Sequence, residues 1–136
     1  KDMNLLRALV PSWRFFDKVG DVPRLYHRSR DNSGNWSEWT PTLRPPPPRR
    51  LQNLIQNPEG NLYLAAQSLI ERFAYEVAET ESTDSIEYSV SYALTNRLVQ
   101  ERLREDGLKP LKYQFMIRVF SGDESGELLV SREHLP

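Results

Sequence analysis

The clearest pattern along the chain lies between Asn57 and Glu79. Leu62, Ala65, Ala66, Leu69, Ile70, Phe73, Ala74 and Val77 recur at helical spacing and share one broad face. Gln67, Glu71, Arg72, Glu76 and Glu79 fall mostly off it. Asn57-Pro58-Glu59 supplies a helix start: an Asn cap, proline at the first helical position and an acid in the first turn. The pattern predicts an amphipathic helix that covers a sheet.

A second helical run follows a polar link over Thr80–Asp84. Asp84 with Glu87 reads as a capping box, and Gly107, Leu108 and Pro110 supply the stop, so the helix is predicted from Asp84 to Asp106. Ile86, Tyr88, Val90 and Tyr92 also alternate strictly with Glu87, Ser89 and Ser91, which is a strand signal. The uninterrupted run into Asn96–Asp106 favours the helix.

Strand patterns flank these helices. Arg24–Arg30 and Asn35–Thr40 read as a β-hairpin around Asp31-Asn32-Ser33-Gly34, with Pro41 ending it. Leu25, His27 and Ser29 fall on one face, and Tyr26, Arg28 and Arg30 on the other. Leu111–Phe120 and Glu127–Ser131 form a second hairpin, with Tyr113, Phe115, Ile117 and Val119 on one face and an acidic, mobile loop over Ser121–Gly126. Residues 41–50 are a Pro-rich connector, its Pro45–Pro48 run held as stiff polyproline II. That run flanked by Arg44, Arg49 and Arg50 also fits a proline-binding groove. A short helix is predicted over Pro48–Gln56. The expected fold is one α+β domain over residues 1–136: about four antiparallel strands in two hairpins, with two long helices packed on one face.

At 136 residues the chain buries a core without staples, and with no cysteine it has no disulfide or thiolate zinc site. No run approaches the roughly 20 apolar residues of a membrane helix. The net charge of −1 is unevenly placed: residues 1–50 carry 10 Lys/Arg against 5 Asp/Glu, and residues 51–136 carry 8 against 14. Either the halves pair their charges, or the basic half faces a membrane surface or polyanion. Aromatic and basic residues do not interleave as in a nucleic-acid module, so no nucleic-acid partner is expected.

Candidate chemistry is sparse. There is no Gly-x-Ser-x-Gly, phosphate loop or dinucleotide fingerprint. No catalytic set, metal site or cofactor is predicted. His27 and His134 are the two histidines; His134 is expected to be exposed. His27 with Arg28 is a weak candidate ligand site, and a small hydrolase-like enzyme built on His27 is the alternative to a binding role. Glu76, Glu79, Glu81 and Glu87 read as a solvated rim. Two aromatic stretches are candidate interfaces: Trp13-Arg14-Phe15-Phe16, and Trp36-Ser37-Glu38-Trp39. The second is similar to the Trp-Ser-x-Trp pattern of some extracellular β-modules, and its rings are placed to stack on Arg28 or Arg30.

Ser12-Trp13-Arg14-Phe15-Phe16 followed by Pro23-Arg24-Leu25-Tyr26 resembles the start of the soluble domain of the SdpA-like family. The resemblance covers roughly residues 10–30. It implies an N-terminal membrane anchor upstream of Lys1, and a membrane-associated soluble domain that assists an integral membrane protein partner in making a secreted antimicrobial peptide. It does not say on which side of the membrane. The Pro45–Pro48 run and the Trp36/Trp39 strand depart from the family pattern, and no catalytic residue is carried over. A homodimer through a sheet edge or the helix face is the remaining alternative.

Overall fold

A computed structural model of the chain describes residues 20–45, 58–80 and 82–136. The predicted Trp13–Phe16 interface, most of the Pro-rich connector and the short helix over Pro48–Gln56 lie outside the described residues. The elements in order are β1 (Val22–Arg30), β2 (Thr40–Pro41), α1 (Pro58–Glu79), α2 (Thr83–Ile86), α3 (Val90–Glu105), β3 (Lys112–Ser121) and β4 (Glu124–Val130). The strands form one antiparallel sheet in the order β2-β1-β3-β4, with α1 and α3 packed on one face. The α+β architecture is the one the sequence pattern predicts.

The core follows the alternation of the strands. Tyr113, Phe115, Ile117 and Val119 of β3 are fully buried, with Leu25 beside them on β1. They meet Ile70, Phe73, Ala74 and Val77 of α1, and Tyr92, Val99 and Leu103 of α3. Burying each large apolar side chain contributes roughly 1.5–3 kcal/mol. Tyr92 packs edge-on against Phe73 at 6.0 Å and tilted on Phe115 at 5.1 Å. Between Gly60 and Ala66 no residue of α1 is buried, so Leu62 and Ala65, expected inward, are exposed.

Four local expectations are corrected by the structure. The second helix is broken: Ser82 rather than Asp84 is the N-cap of α2, and Glu87–Ser89 separates α2 from α3. Ser89 caps the new start by accepting from the Tyr92 N–H at 3.1 Å. The break leaves Tyr88 and Val90 exposed and satisfies neither the strand alternation nor the single-helix reading. The far end is as predicted: Gly107 takes a φ of +69°, and Leu108 N–H donates to the Leu103 carbonyl.

The predicted strand over Asn35–Thr40 shrinks to Thr40–Pro41, plus an isolated bridge between Arg30 and Trp36. Pro41 thus lies inside a strand rather than after it, at the sheet edge where its missing N–H is tolerated. The loop expected over Ser121–Gly126 is instead mostly strand. Ser121 pairs with Glu124, leaving Gly122-Asp123 as the turn, with Gly122 at a φ of +58°. A bulge opposite Ile117 and Arg118 inserts one extra residue in β4, which lets Leu128 and Leu129 both be buried.

Candidate functional site

With both long helices on one side, the sheet has a second face that no described helix covers. Alternation along β1 sends Arg24, Tyr26, Arg28 and Arg30 to it, while Leu25 and His27 point into the core. From β3 come Lys112, Gln114, Met116, Arg118 and Phe120, each directly opposite a β1 partner.

The predicted aromatic pair completes this face through a slip in register. Residues three apart on a regular strand point to opposite faces. Arg30 pairs with Trp36, but His27 pairs with Thr40, so one extra residue is inserted between them. The slip puts Trp39 on the same face as Trp36. The Arg28 guanidinium lies over both rings, 4.7 Å from the Trp36 centroid and 4.6 Å from that of Trp39. Its Nε and Nη2 both donate to Gln114 Oε1, at 3.1 and 2.7 Å. Gln114 Nε2 in turn donates to the Ser131 carbonyl. At the other end of the face Arg24 lies 4.9 Å from the Phe120 centroid, and Tyr26 packs on the same ring. This layer of long side chains covers the sheet from above, and Met116 beneath it is buried.

The charges of this face are poorly neutralised. Among the described residues Arg44, Arg72, Arg102, Arg104 and Arg132 each form an ion pair. Arg24, Arg28, Arg30 and Arg118 form no close ion pair there, although Glu133 feels the charges of Arg30 and Arg28 and Glu127 stands opposite Arg118. Arg30 Nε donates to the Gly34 carbonyl and Arg118 Nε to the Ser125 hydroxyl. Lys112 alone is paired, with Glu133 at 2.8 Å, and its hydrogen bond holds the Glu133 carboxyl below its usual range. Arg24 and Arg118 stand directly opposite each other, a like-charge placement that destabilises a sheet.

His27 is enclosed on the other face. It is 4% exposed, and its Nδ1 is 2.9 Å from the Thr42 hydroxyl. Burial lowers its pKa, against the raising influence of Asp106. The depressions on either side of Leu43 are lined by Tyr63 with Arg102 or with Gln67, and leave His27 outside. The structure therefore separates His27 and Arg28, the paired weak ligand candidates, onto opposite sides of the sheet.

His134, expected to be exposed, is half-buried. Its backbone pairs with Tyr113, and its ring stacks on Phe115 and Tyr113 at 5.8 and 5.4 Å. Burial lowers its pKa to about 4. Burial also raises that of Tyr92, and the Tyr92 hydroxyl shares a hydrogen bond of 2.7 Å with Nε2 of the neutral ring. Nor is Glu87 on a solvated rim: its side chain is 7% exposed and lies 3.6 Å from Arg132. Glu76 accepts from the buried Ser91. Glu87 lies in the break before α3, and its side chain is turned inward there.

Among the described residues no cluster of three metal-ligating side chains occurs, and no helix is long and apolar enough to cross a membrane. Fold and site together define an α+β domain with a helix-covered face and an arginine–aromatic face. Comparison of the chain with protein families, curated proteins and solved structures finds no match.

Proposed function

We propose that this chain is the binding or accessory domain of a membrane-anchored protein, and that it meets the membrane holding its partner through the outer sheet face. The observation that carries this reading is the set of four arginines, Arg24, Arg28, Arg30 and Arg118, held on aromatic rings, a loop carbonyl and a strand hydroxyl without a close ion pair among the described residues. A fold optimised only for stability would neutralise or separate them. The partner in this reading is an integral membrane protein, as the resemblance at residues 10–30 implies, and the role is assistance in antimicrobial peptide production. The enclosure of His27 gives the hydrolytic alternative no support.

The full-length gene product tests this in its own cells. It is expected to pellet with membranes and to co-purify with an integral membrane protein, and Arg24→Glu with Arg118→Glu is expected to reduce the co-purification. A product that stays in the supernatant alone would remove the proposal.

A further inference from the structure

We infer that the outer sheet face docks on an anionic bilayer, its arginines contacting the phosphates of lipid headgroups. The inference rests on the binding role given to this face and names what the face recognises.

Charge complementarity is the first argument. Arg24, Arg28, Arg30, Lys112 and Arg118 project from adjacent strands on one side of the sheet. Glu127 stands opposite Arg118, and Glu133 pairs with Lys112 and feels Arg30 and Arg28, so these five cations exceed the two acids by three charges. From Arg24 to Arg30 the row extends about 20 Å at roughly 3.3 Å per residue, so it can meet several headgroups at once. The helix layer opposite has its arginines largely paired: Arg72 with Glu76, Arg102 with Glu105, Arg104 with Glu101. A negative surface therefore orients the domain sheet-first.

Geometry selects the class of anion. Arg24, over Phe120, keeps its in-plane N–H groups without a hydrogen-bond partner among the described residues, while Arg28, over Trp36 and Trp39, spends its Nε–Nη2 edge on Gln114 and keeps the Nη1 edge. Those edges suit phosphate oxygens. The same stacking fills the π-faces that a single-stranded nucleic acid would need for its bases. Half-exposed tryptophans beside arginine are at home in the headgroup region of a bilayer. The Arg24–Arg118 opposition, a local cost within the fold, is relieved when phosphate lies between the two.

The 136-residue chain is mixed with vesicles of phosphatidylcholine and phosphatidylglycerol in equal parts, and with vesicles of phosphatidylcholine alone, and sedimented. Binding is expected to the anionic vesicles only. It is expected to weaken about fivefold for each arginine removed from the face, and to fall as salt is raised. Arg24→Glu is the informative variant, because it sets opposite charges across the β1–β3 pair and so removes a repulsion while it weakens binding. Arg24→Gln is the milder companion, and Arg97→Glu on the exposed side of α3 is expected to bind like the parent. Excess glycerol phosphate is expected not to displace the domain; displacement would assign the face to a free phosphate and overturn the bilayer. Equal binding to both vesicles, or anionic binding unchanged by Arg24→Glu and Arg24→Gln, would also overturn it. So would capture of an oligonucleotide in place of vesicles. Loss of vesicle binding with co-purification of a membrane protein intact rejects the lipid inference and leaves the partner-binding proposal standing.

Discussion

The side chains that matter most here are ordinary types in unusual surroundings. His134 sits among Tyr92, Tyr113 and Phe115, and burial holds its pKa near about 4, against 6.5 when free. The unfolded chain therefore binds more protons between these values. The stability contributed by neutral His134 is present above pH 6.5 and is lost as pH falls from 6.5 toward about 4. At 1.36 kcal/mol per pH unit, the loss is at most roughly 3 kcal/mol. His27 shifts in the same direction and adds to the loss. The urea midpoint is expected to be lower at pH 5 than at pH 7, and the difference to shrink in His134→Gln; identical midpoints in the parent would refute the assignment. Arg28 supports a second prediction. Truncation to Ala removes two ring contacts, each about 0.5–1 kcal/mol at a partly exposed site, and leaves Gln114 Oε1 without its donor. Arg28→Ala is expected to destabilise by about 1–2 kcal/mol and to shift tryptophan emission to the red, since Trp36 and Trp39 lose their cover. An unchanged emission maximum would mean that the stack does not form in solution. That the Trp36/Trp39 strand would stack on Arg28 or Arg30 was readable from hairpin logic; which of the two, and the enclosure of His134, were not, because the first hangs on register and the partners of His134 come from α3 and β3.

Elements separated into those set by local pattern and those set by packing. The helix over Pro58–Glu79 and the strand over Lys112–Ser121 carry long, consistent periodicities, and both form. The second helix has good start and stop signals, yet it divides at Glu87–Ser89. Continuous helix and strict alternation compete there, and the break lets Ile86 and Tyr92 both enter the core while Tyr88 and Val90 stay out. Ser89 is the residue that restarts the helix, so Ser89→Ala is expected to cost about 1 kcal/mol. Asp84→Ala, at an exposed site inside α2, is expected to change stability by less than about 0.5 kcal/mol. Denaturant titration of the two variants compares them directly, and equal losses would argue against Ser89 as the cap. The strand after β1 was misjudged in extent for a related reason. A one-residue slip costs little locally but reverses every later side chain. Its benefit, Trp39 over Arg28, depends on contacts made across the sheet.

At the scale of the described residues the fold gathers Arg24, Arg28, Arg30 and Arg118 with Tyr26, Trp36, Trp39 and Phe120 on one side of the sheet and leaves two sheet edges. The β4 edge carries Glu124 and Glu127 and a bulge, features that discourage pairing with a second copy. Sedimentation equilibrium of the 136-residue chain is expected to give a monomer; a dimer that grows with concentration would restore the homodimeric alternative. The sequence by itself determined the α+β class, the amphipathic helix, the two faces of β1 and the residues of the β3 core. These depend on period and propensity, which neighbours along the chain already express. Tertiary structure alone decided that Trp36 and Trp39 both lie over one arginine, that Arg24 opposes Arg118, that His27 bonds Thr42, and that His134 closes an aromatic cluster. Each of these is a contact between segments distant in sequence, or hangs on a one-residue register choice. Such choices are settled by which side chains the assembled core can bury and which charges it must leave outside.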